Sequence, residues 1–178
     1  TLVVSEATLT VKVEDKTVPY NGTEQEGYGF PEELTGTGSN ITTEAYVVNG
    51  LANGDVLTVT YTPGKGTLVG TYDGSFGATY TITNADGDDV TANYGTIELT
   101  PGKLIITDEN VDPSLVVTKN HTGGPFKLGD VVTFDITVKN IYNEAKDIEL
   151  SEIDGVTLTQ STFNGVAAGA TVSTTATY

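Results

Sequence analysis

Apolar and polar residues alternate in short runs along most of the chain, and turn-forming residues separate the runs. Residues 8–13 read TLTVKV, which places Leu9, Val11 and Val13 on one face and the threonines and the lysine on the other. A period of two is that of a half-buried β-strand. Similar runs predict strands at residues 44–48, 56–62, 68–72, 78–83, 94–99, 104–106, 115–119, 131–140, 156–160 and 171–178.

Glycine, proline and asparagine mark the predicted turns between these runs. Proline fixes φ and an Asn-Gly pair accepts positive φ, so residues 19–22 (PYNG) and 49–50 are expected to turn. An Asp-Gly pair at 86–87 is a hairpin signal. Residues 23–40 show little pattern and are predicted to be loops with one short strand. Residues 141–151 fit either a helical stripe or a strand through the alternating DIEL, and we favour the strand.

Many short strands without a helical period predict an all-β protein of two tandem Ig-like β-sandwich domains. We expect a first domain at residues 6–109, a linker at 110–114 and a second domain at 115–178, cut short at its C-terminus. Pro113 disfavours helix in the preceding residue, so the linker is expected to be semi-extended. Residues 1–5 (TLVVS) resemble the strand at 103–107, which predicts the remnant of a preceding repeat.

The charge balance excludes several classes of partner. The chain of 178 residues carries 24 acidic side chains, 8 lysines and no arginine, a net charge of −16. Nucleic acids and anionic membrane surfaces need a basic footprint, so neither is an expected partner. No apolar run approaches the length of about 18–20 residues that crosses a membrane, so direct insertion is not expected. The absence of cysteine, with abundant Thr, Gly, Asp and Asn, fits an exported bacterial wall protein.

Residues 6–109 resemble the MBG family of bacterial cell-surface repeats. The resemblance is carried by ATLTVKVEDKTVPYNGT (7–23), VVNGLANGDVLTVTYT (47–62), GTY (70–72) and DVTANYGTIELTPGKLIIT (89–107). Members of this family typically stand in tandem. The resemblance therefore implies neighbouring repeat domains in the same chain.

Residues 115–178 resemble the bacterial "conserved repeat" domain, of the domain-of-unknown-function 11 type. The matching segments are VVTKN (116–120), KLGDVVTFDITVKN (127–140) and GVAAGATVSTTATY (165–178). The family usually has an Asn-Thr-Gly-like turn after the long strand, whereas residues 140–143 here read NIYN. Both resemblances imply a stalk or adhesin and carry no catalytic residues.

Two acidic segments could offer calcium ligands. Oxygen ligands at nearly alternating positions suit calcium, although no EF-hand loop is present. The alternative is an acidic turn in one case and a solvated linker in the other. No other cofactor is expected. The candidate ligands are Asn84, Asp86, Asp88 and Asp89 in the first segment, and Asp108, Asn110 and Asp112 in the second.

Lys119, Asn140 and Asp135 supply the atom types of an internal isopeptide bond, in which a buried acid assists the joining of lysine to asparagine. Asp135 lies on the polar phase of its strand, so ordinary strand-end polar residues are the alternative. His121 is the only histidine, in an expected surface turn, which argues against a catalytic triad and against an enzyme.

Exposed tyrosines could form a ligand platform, with Tyr28 and Tyr46 as the main candidates and Phe30, Tyr72 and Tyr94 as further ones. Packing against the core is the alternative for each of them. The sequence therefore predicts structural stalk modules of an extracellular bacterial surface protein. The alternatives are an adhesin head that binds a host glycan, mucin or matrix protein, and an accessory module of a surface hydrolase.

Overall fold

The computed structural model describes residues 7–178 and is all-β, with two single 3-10 turns, Thr91–Asn93 and Pro113–Leu115, as its only helical elements in that range. The predicted remnant at residues 1–5 lies outside the described residues. The strands are β1 (Ala7–Val13), β2 (Lys16–Pro19), β3 (Gln25–Glu26), β4 (Glu33–Thr35), β5 (Ile41–Thr42), β6 (Tyr46–Asn49), β7 (Val56–Thr62), β8 (Lys65–Gly66), β9 (Gly70–Asp73), β10 (Ser75–Thr83), β11 (Tyr94–Thr100), β12 (Lys103–Thr107), β13 (Val117–Thr122), β14 (Thr133–Lys139), β15 (Lys146–Glu149), β16 (Thr157–Leu158), β17 (Thr162–Val166) and β18 (Thr171–Thr177).

The chain divides into two compact units. The first comprises the described residues up to Val18, with Glu24–Gly66 and Thr71–Ile105, and the second comprises Pro19–Thr23, Thr67–Gly70 and Ile106–Tyr178. Two short segments from the N-terminal half thus belong to the second unit. Sequence patterns could not place them there, since a five-residue turn carries no periodicity of its own.

The first unit is a sandwich of two sheets with strand orders β11-β1-β6-β5 and β10-β7-β4. The predicted inner face of β1 is confirmed, because Leu9, Val11 and Val13 are all buried. Alternate apolar residues of both sheets interdigitate, as sandwich packing requires. Their shared core consists of Leu9, Val11, Val48, Leu51, Leu57, Val59, Ile82 and Tyr94.

Parallel pairing joins β1 to β11, although the two strands are separated by most of the unit's sequence. The register runs from Ala7 opposite Tyr94 to Lys12 opposite Thr100. The Asp-Gly pair at 86–87 was expected to form a hairpin, and the chain does reverse there: Gly87 has a φ of 87°, and the N–H of Asn84 donates to the carbonyl of Asp88. Thr83 and Asp89 make a single antiparallel bridge, after which the chain crosses to the other sheet.

Strand β10 departs from its predicted regular alternation. Ala78, Tyr80 and Ile82 were expected on one apolar face, yet only Ile82 is buried and Tyr80 is 37% exposed. Between the pairs Phe76–Tyr61 and Tyr80–Val59, three residues of β10 stand opposite the single residue Thr60 of β7. The extra, unpaired residues bend β10, so that its side chains before Ile82 no longer point into the core.

The second unit contains a four-stranded sheet, β13-β14-β18-β16, and a two-stranded sheet, β15-β17. Its core consists of Ile136, Val138 and Ala176, with Phe134 and Ile148 among the half-buried residues packed against it. The favoured strand interpretation of residues 141–151 is confirmed by β15. Strand β17 was not predicted, because residues 162–166 (TFNGV) do not alternate.

Candidate functional site

The first acidic segment forms a self-contained turn. Asn84 Oδ1 accepts hydrogen bonds from the main-chain N–H groups of Asp86 at 3.0 Å and Asp88 at 2.9 Å. Asp89 Oδ1 accepts from the N–H of Thr91, and hydrogen bonds from the Thr91 hydroxyl and N–H hold the pKa of Asp89 below its ordinary value. These oxygens shape the turn locally. Calcium binding here stays a prediction.

The linker carboxylates also have partners within the second unit. Asp108 Oδ2 accepts a hydrogen bond from the Tyr142 hydroxyl at 2.6 Å. Asp112 caps the 3-10 turn Pro113–Leu115 by accepting from the N–H of Ser114, which lowers the pKa of Asp112. Asn110 has a φ of 56°, in the left-handed region that asparagine tolerates. The linker therefore contains a shaped turn, while Asp112 keeps the extended backbone that Pro113 predicted, with a ψ of 119°.

Lys119, Asp135 and Asn140 are not brought together. Lys119 stands opposite Ile136, four residues before Asn140, a separation of about 13 Å along a strand. The Lys119 ammonium contacts Glu152 at 2.6 Å and lies 4.8 Å from the centre of the Phe134 ring. Asp135 is exposed, as its phase in the strand predicted. An isopeptide bond between Lys119 and Asn140 stays an untested prediction without support from this geometry.

Asn140 is 2% exposed, and its side chain connects the end of β14 to the loop before β15 and to the end of β17. Its Nδ2 donates to the carbonyls of Glu144 and Val166, both at 2.8 Å, and lies 3.1 Å from that of Ala167. Its Oδ1 accepts from the N–H of Tyr142 at 3.0 Å. All the hydrogen-bonding groups of the amide are engaged, which indicates a structural role.

The two tyrosines of the predicted platform have different surroundings. Tyr28 is half-buried and donates to Glu44 at 2.6 Å, a bond that raises the pKa of Tyr28. Tyr46 packs edge-to-face on Phe30, with ring centres 4.9 Å apart, against the core of the first unit. Each ring has packing or hydrogen-bonding partners of its own. The two tyrosines thus have different partners, and their role as a platform stays a prediction.

Tyr94, another platform candidate, is 7% exposed and belongs to the core. Its hydroxyl donates to Asp55 Oδ2 at 2.7 Å and accepts from the N–H of Ala52 at 3.0 Å. Burial, followed by the hydrogen bond to Asp55, raises the pKa of Tyr94. The half-buried Phe30 lies between Tyr46 and Phe76 and is likewise a packing residue.

Metal-binding clusters are lacking from residues 7–178. No group of three or more His, Asp or Glu side chains there is placed to hold a metal ion. His121 is exposed, and its Nδ1 lies 3.2 Å from the carbonyl oxygen of Gly123.

The outer face of the sheet β13-β14-β18-β16 presents a regular array of hydroxyl side chains that the sequence analysis did not single out. The sequence of each strand shows only that polar and apolar residues alternate. The array depends on the register of four strands, which the sequence does not reveal. Strand neighbours in this array are Thr118 with Thr137, Asn120 with Asp135, Thr122 with Thr133, Thr133 with Thr177, Asp135 with Thr175, Thr137 with Ser173, and Thr157 with Thr177.

Comparison with known proteins found no match for the chain among protein-family models, curated proteins or solved structures. The resemblance to the two surface-repeat families therefore stays a prediction. In residues 7–178, no helix is long and apolar enough to cross a membrane.

Proposed function

We propose that this chain is a non-catalytic, load-bearing module of an extracellular bacterial surface protein. The observation that supports this function best is the parallel pairing of β1 with β11 in the first unit, six residue pairs long. The all-β architecture, the acidic composition and the resemblance to two families of surface repeats agree with it.

Parallel pairing determines how this unit responds to tension. When β1 is pulled towards its N-terminal end and β11 towards its C-terminal end, the two strands slide past each other in opposite directions. The evenly spaced hydrogen bonds of a parallel ladder then share the load. Several hydrogen bonds must break together, and this raises the barrier to unfolding. Forced unfolding is governed by the unfolding rate, so a higher barrier means a higher unfolding force.

The pairing of β1 with β6 provides a contrasting geometry in the same unit. These strands are antiparallel, with Thr10 opposite Asn49. Tension applied to the N-terminal end of β1 and the C-terminal end of β6 acts at the same end of the ladder. The bonds then break one after another, at a lower force.

Single-molecule pulling tests this function directly. The chain has no cysteine, so two engineered cysteines define the attachment points without competition. One variant carries Ala7→Cys and Thr100→Cys, at the N-terminal end of β1 and the C-terminal end of β11, which loads the parallel pair. The control carries Ala7→Cys and Ala52→Cys, which loads the antiparallel pair. All three positions are exposed.

We expect the first geometry to unfold at a force several times that of the second. Equal forces in the two geometries would remove the mechanical argument.

The surface location is tested separately, by antibody labelling of intact source cells. If the chain is instead an accessory module of a surface hydrolase, its parent chain will contain a catalytic domain.

A further inference from the structure

We propose that the outer face of the sheet β13-β14-β18-β16 binds a neutral, hydroxyl-rich glycan chain. This surface, here called the hydroxyl face, lies wholly within the second unit. Glycan binding there is independent of the load-bearing role of the first unit. It also places ligand recognition away from Tyr28 and Tyr46.

The register of the sheet arranges the hydroxyl face in rows that run across the strands. One row contains Thr122, Thr133, Thr177 and Thr157, and the next contains Asn120, Asp135 and Thr175. Neighbouring strands lie about 4.7–4.9 Å apart, and side chains of one face repeat about every 6.6–6.8 Å along a strand. A third row contains Thr118, Thr137 and Ser173.

Threonine is common on exposed strands because of its β-propensity, so the array alone does not indicate a ligand. A cavity over the array is the second observation, and it does indicate a ligand. An open cavity of about 380 Å³ lies over the middle of this face. The side chains of the outer face that line it are Asp135, Thr137, Thr159, Gln160, Ser173 and Thr175.

Asp135 has no hydrogen bond or ion pair with any of the described residues, unlike the acids of the two predicted calcium segments that cap turns. Asn120 stands directly opposite it in the register. A carboxylate accepts hydrogen bonds from two hydroxyl groups, and an amide both donates and accepts. The hydroxyl face thus combines a free acceptor, Asp135, with groups of both kinds.

The chemistry of the face distinguishes between classes of ligand. Its three rows contain no aromatic, aliphatic or basic side chain, and one base, Lys139, lies in the row beyond them, opposite Thr171. Energetic centres of protein interfaces, in contrast, are rich in Trp, Tyr and Arg. Nucleic acids and anionic glycans would be repelled by Asp135 and by the net charge of −16. A neutral glycan presents repeated hydroxyl groups that match the hydroxyl, amide and carboxylate groups.

Binding should be weak for one sugar and stronger for a chain, since successive sugars can engage successive rows of the array. Affinity electrophoresis and calorimetry with soluble neutral polysaccharides, namely a β-glucan, a mannan and a galactan, provide the test on the full chain. An anionic alginate and a cationic chitosan serve as comparison polymers. We expect saturable binding to at least one neutral polymer, little affected by added salt.

Two variants locate the binding. Asp135→Ala removes the free acceptor, and Ser173→Glu places a bulky charge in the cavity. Each should weaken binding at least tenfold. Glu149→Ala is the matched control, because Glu149 is an exposed acid on the other sheet, and it should bind as the parent chain does. Unchanged thermal melting of the variants confirms that they fold.

Three results would overturn the proposal. These are no binding to any of the neutral polymers, binding that survives both variants of the hydroxyl face, and binding only to chitosan that disappears with added salt. The last result would indicate general attraction between opposite charges. None of them bears on the unfolding forces of the first unit.

Discussion

The side-chain amide of Asn140 donates a hydrogen bond of 2.8 Å to the main-chain carbonyl of Val166, 26 residues further along the chain. Asn140 lies at the end of β14 and Val166 at the end of β17, so this bond connects the two sheets of the second unit. The same nitrogen donates to the carbonyl of Glu144, near the end of the loop that leads into β15. One buried amide therefore fixes the place where the chain passes from one sheet to the other.

Replacing Asn140 should destabilise the second unit strongly. Asn140→Ala leaves buried carbonyls and the N–H of Tyr142 without their partner, at a cost of about 2–4 kcal/mol in the free energy of unfolding. Asn140→Asp should cost at least as much at neutral pH, because a carboxylate would face carbonyl oxygens. Denaturant unfolding measures both losses.

Asn164→Ala is the control for this prediction, since Asn164 is exposed on β17. It should change the free energy of unfolding by less than about 0.5 kcal/mol. If Asn140→Ala were equally mild, the buried amide would not be the connection described.

Removing the hydroxyl of Tyr20 should be harmless or stabilising. Tyr20 is 2% exposed, and in residues 7–178 its Oη is the one buried side-chain polar atom without a hydrogen-bond partner. Burying an unpaired hydroxyl costs free energy, which Tyr20→Phe avoids while keeping the ring. We expect the free energy of unfolding to stay the same or to rise by up to about 1 kcal/mol. A loss of stability would mean that the hydroxyl is paired in solution.

Stability should fall in alkaline solution. The pKa values of Tyr61 and Tyr94 are raised, in each case first by burial. A group whose pKa is higher in the folded state stabilises the fold below its unfolded pKa, about 10 for tyrosine. That stability is lost as the pH rises through the folded pKa. Thermal melting from neutral pH upwards, followed together with tyrosinate absorbance, should show the loss above about pH 10.

Tyr94→Phe tests which tyrosine is responsible. The variant should lose about 1–3 kcal/mol at neutral pH, since Ala52 and Asp55 lose a partner, and its stability should depend less on alkaline pH. Tyr178→Phe, at an exposed position, should match the parent chain at neutral pH.

Calcium should not change the melting temperature by more than about a degree. The oxygens of Asn84, Asp89, Asp108 and Asp112 already accept hydrogen bonds from neighbouring groups. Melting with added calcium and then with a chelator is the measurement. A rise of several degrees that the chelator reverses would instead establish a calcium site in one of the two acidic segments.

The intact mass of the folded chain should equal the mass calculated from its sequence. An isopeptide bond between Lys119 and Asn140 would release ammonia and lower the mass accordingly. Lys119 pairs with Glu152, and the amide of Asn140 is held by main-chain carbonyls, so we expect no such loss. Mass spectrometry of denatured protein decides between the two outcomes.

The sequence by itself determined the fold class and many of the strands, because alternation depends only on which residues are apolar. Leu9, Val11 and Val13 had to share a face whatever their neighbours were, and so did Ile136 and Val138. Gly50 is a local determinant of the same kind, because its φ of 88° suits the turn that the Asn-Gly pair at 49–50 predicts.

Only the tertiary structure decided which strands meet. Alternation gives a strand an apolar face but does not select its partner, so the parallel pairing of β1 with β11 left no signal in either segment. For the same reason Asn140 looked like a strand-end residue, although packing buries it among carbonyls. The hydroxyl face likewise exists only because four strands align their threonines. Pairing is a property of the whole fold, since it depends on contacts between residues far apart in the chain.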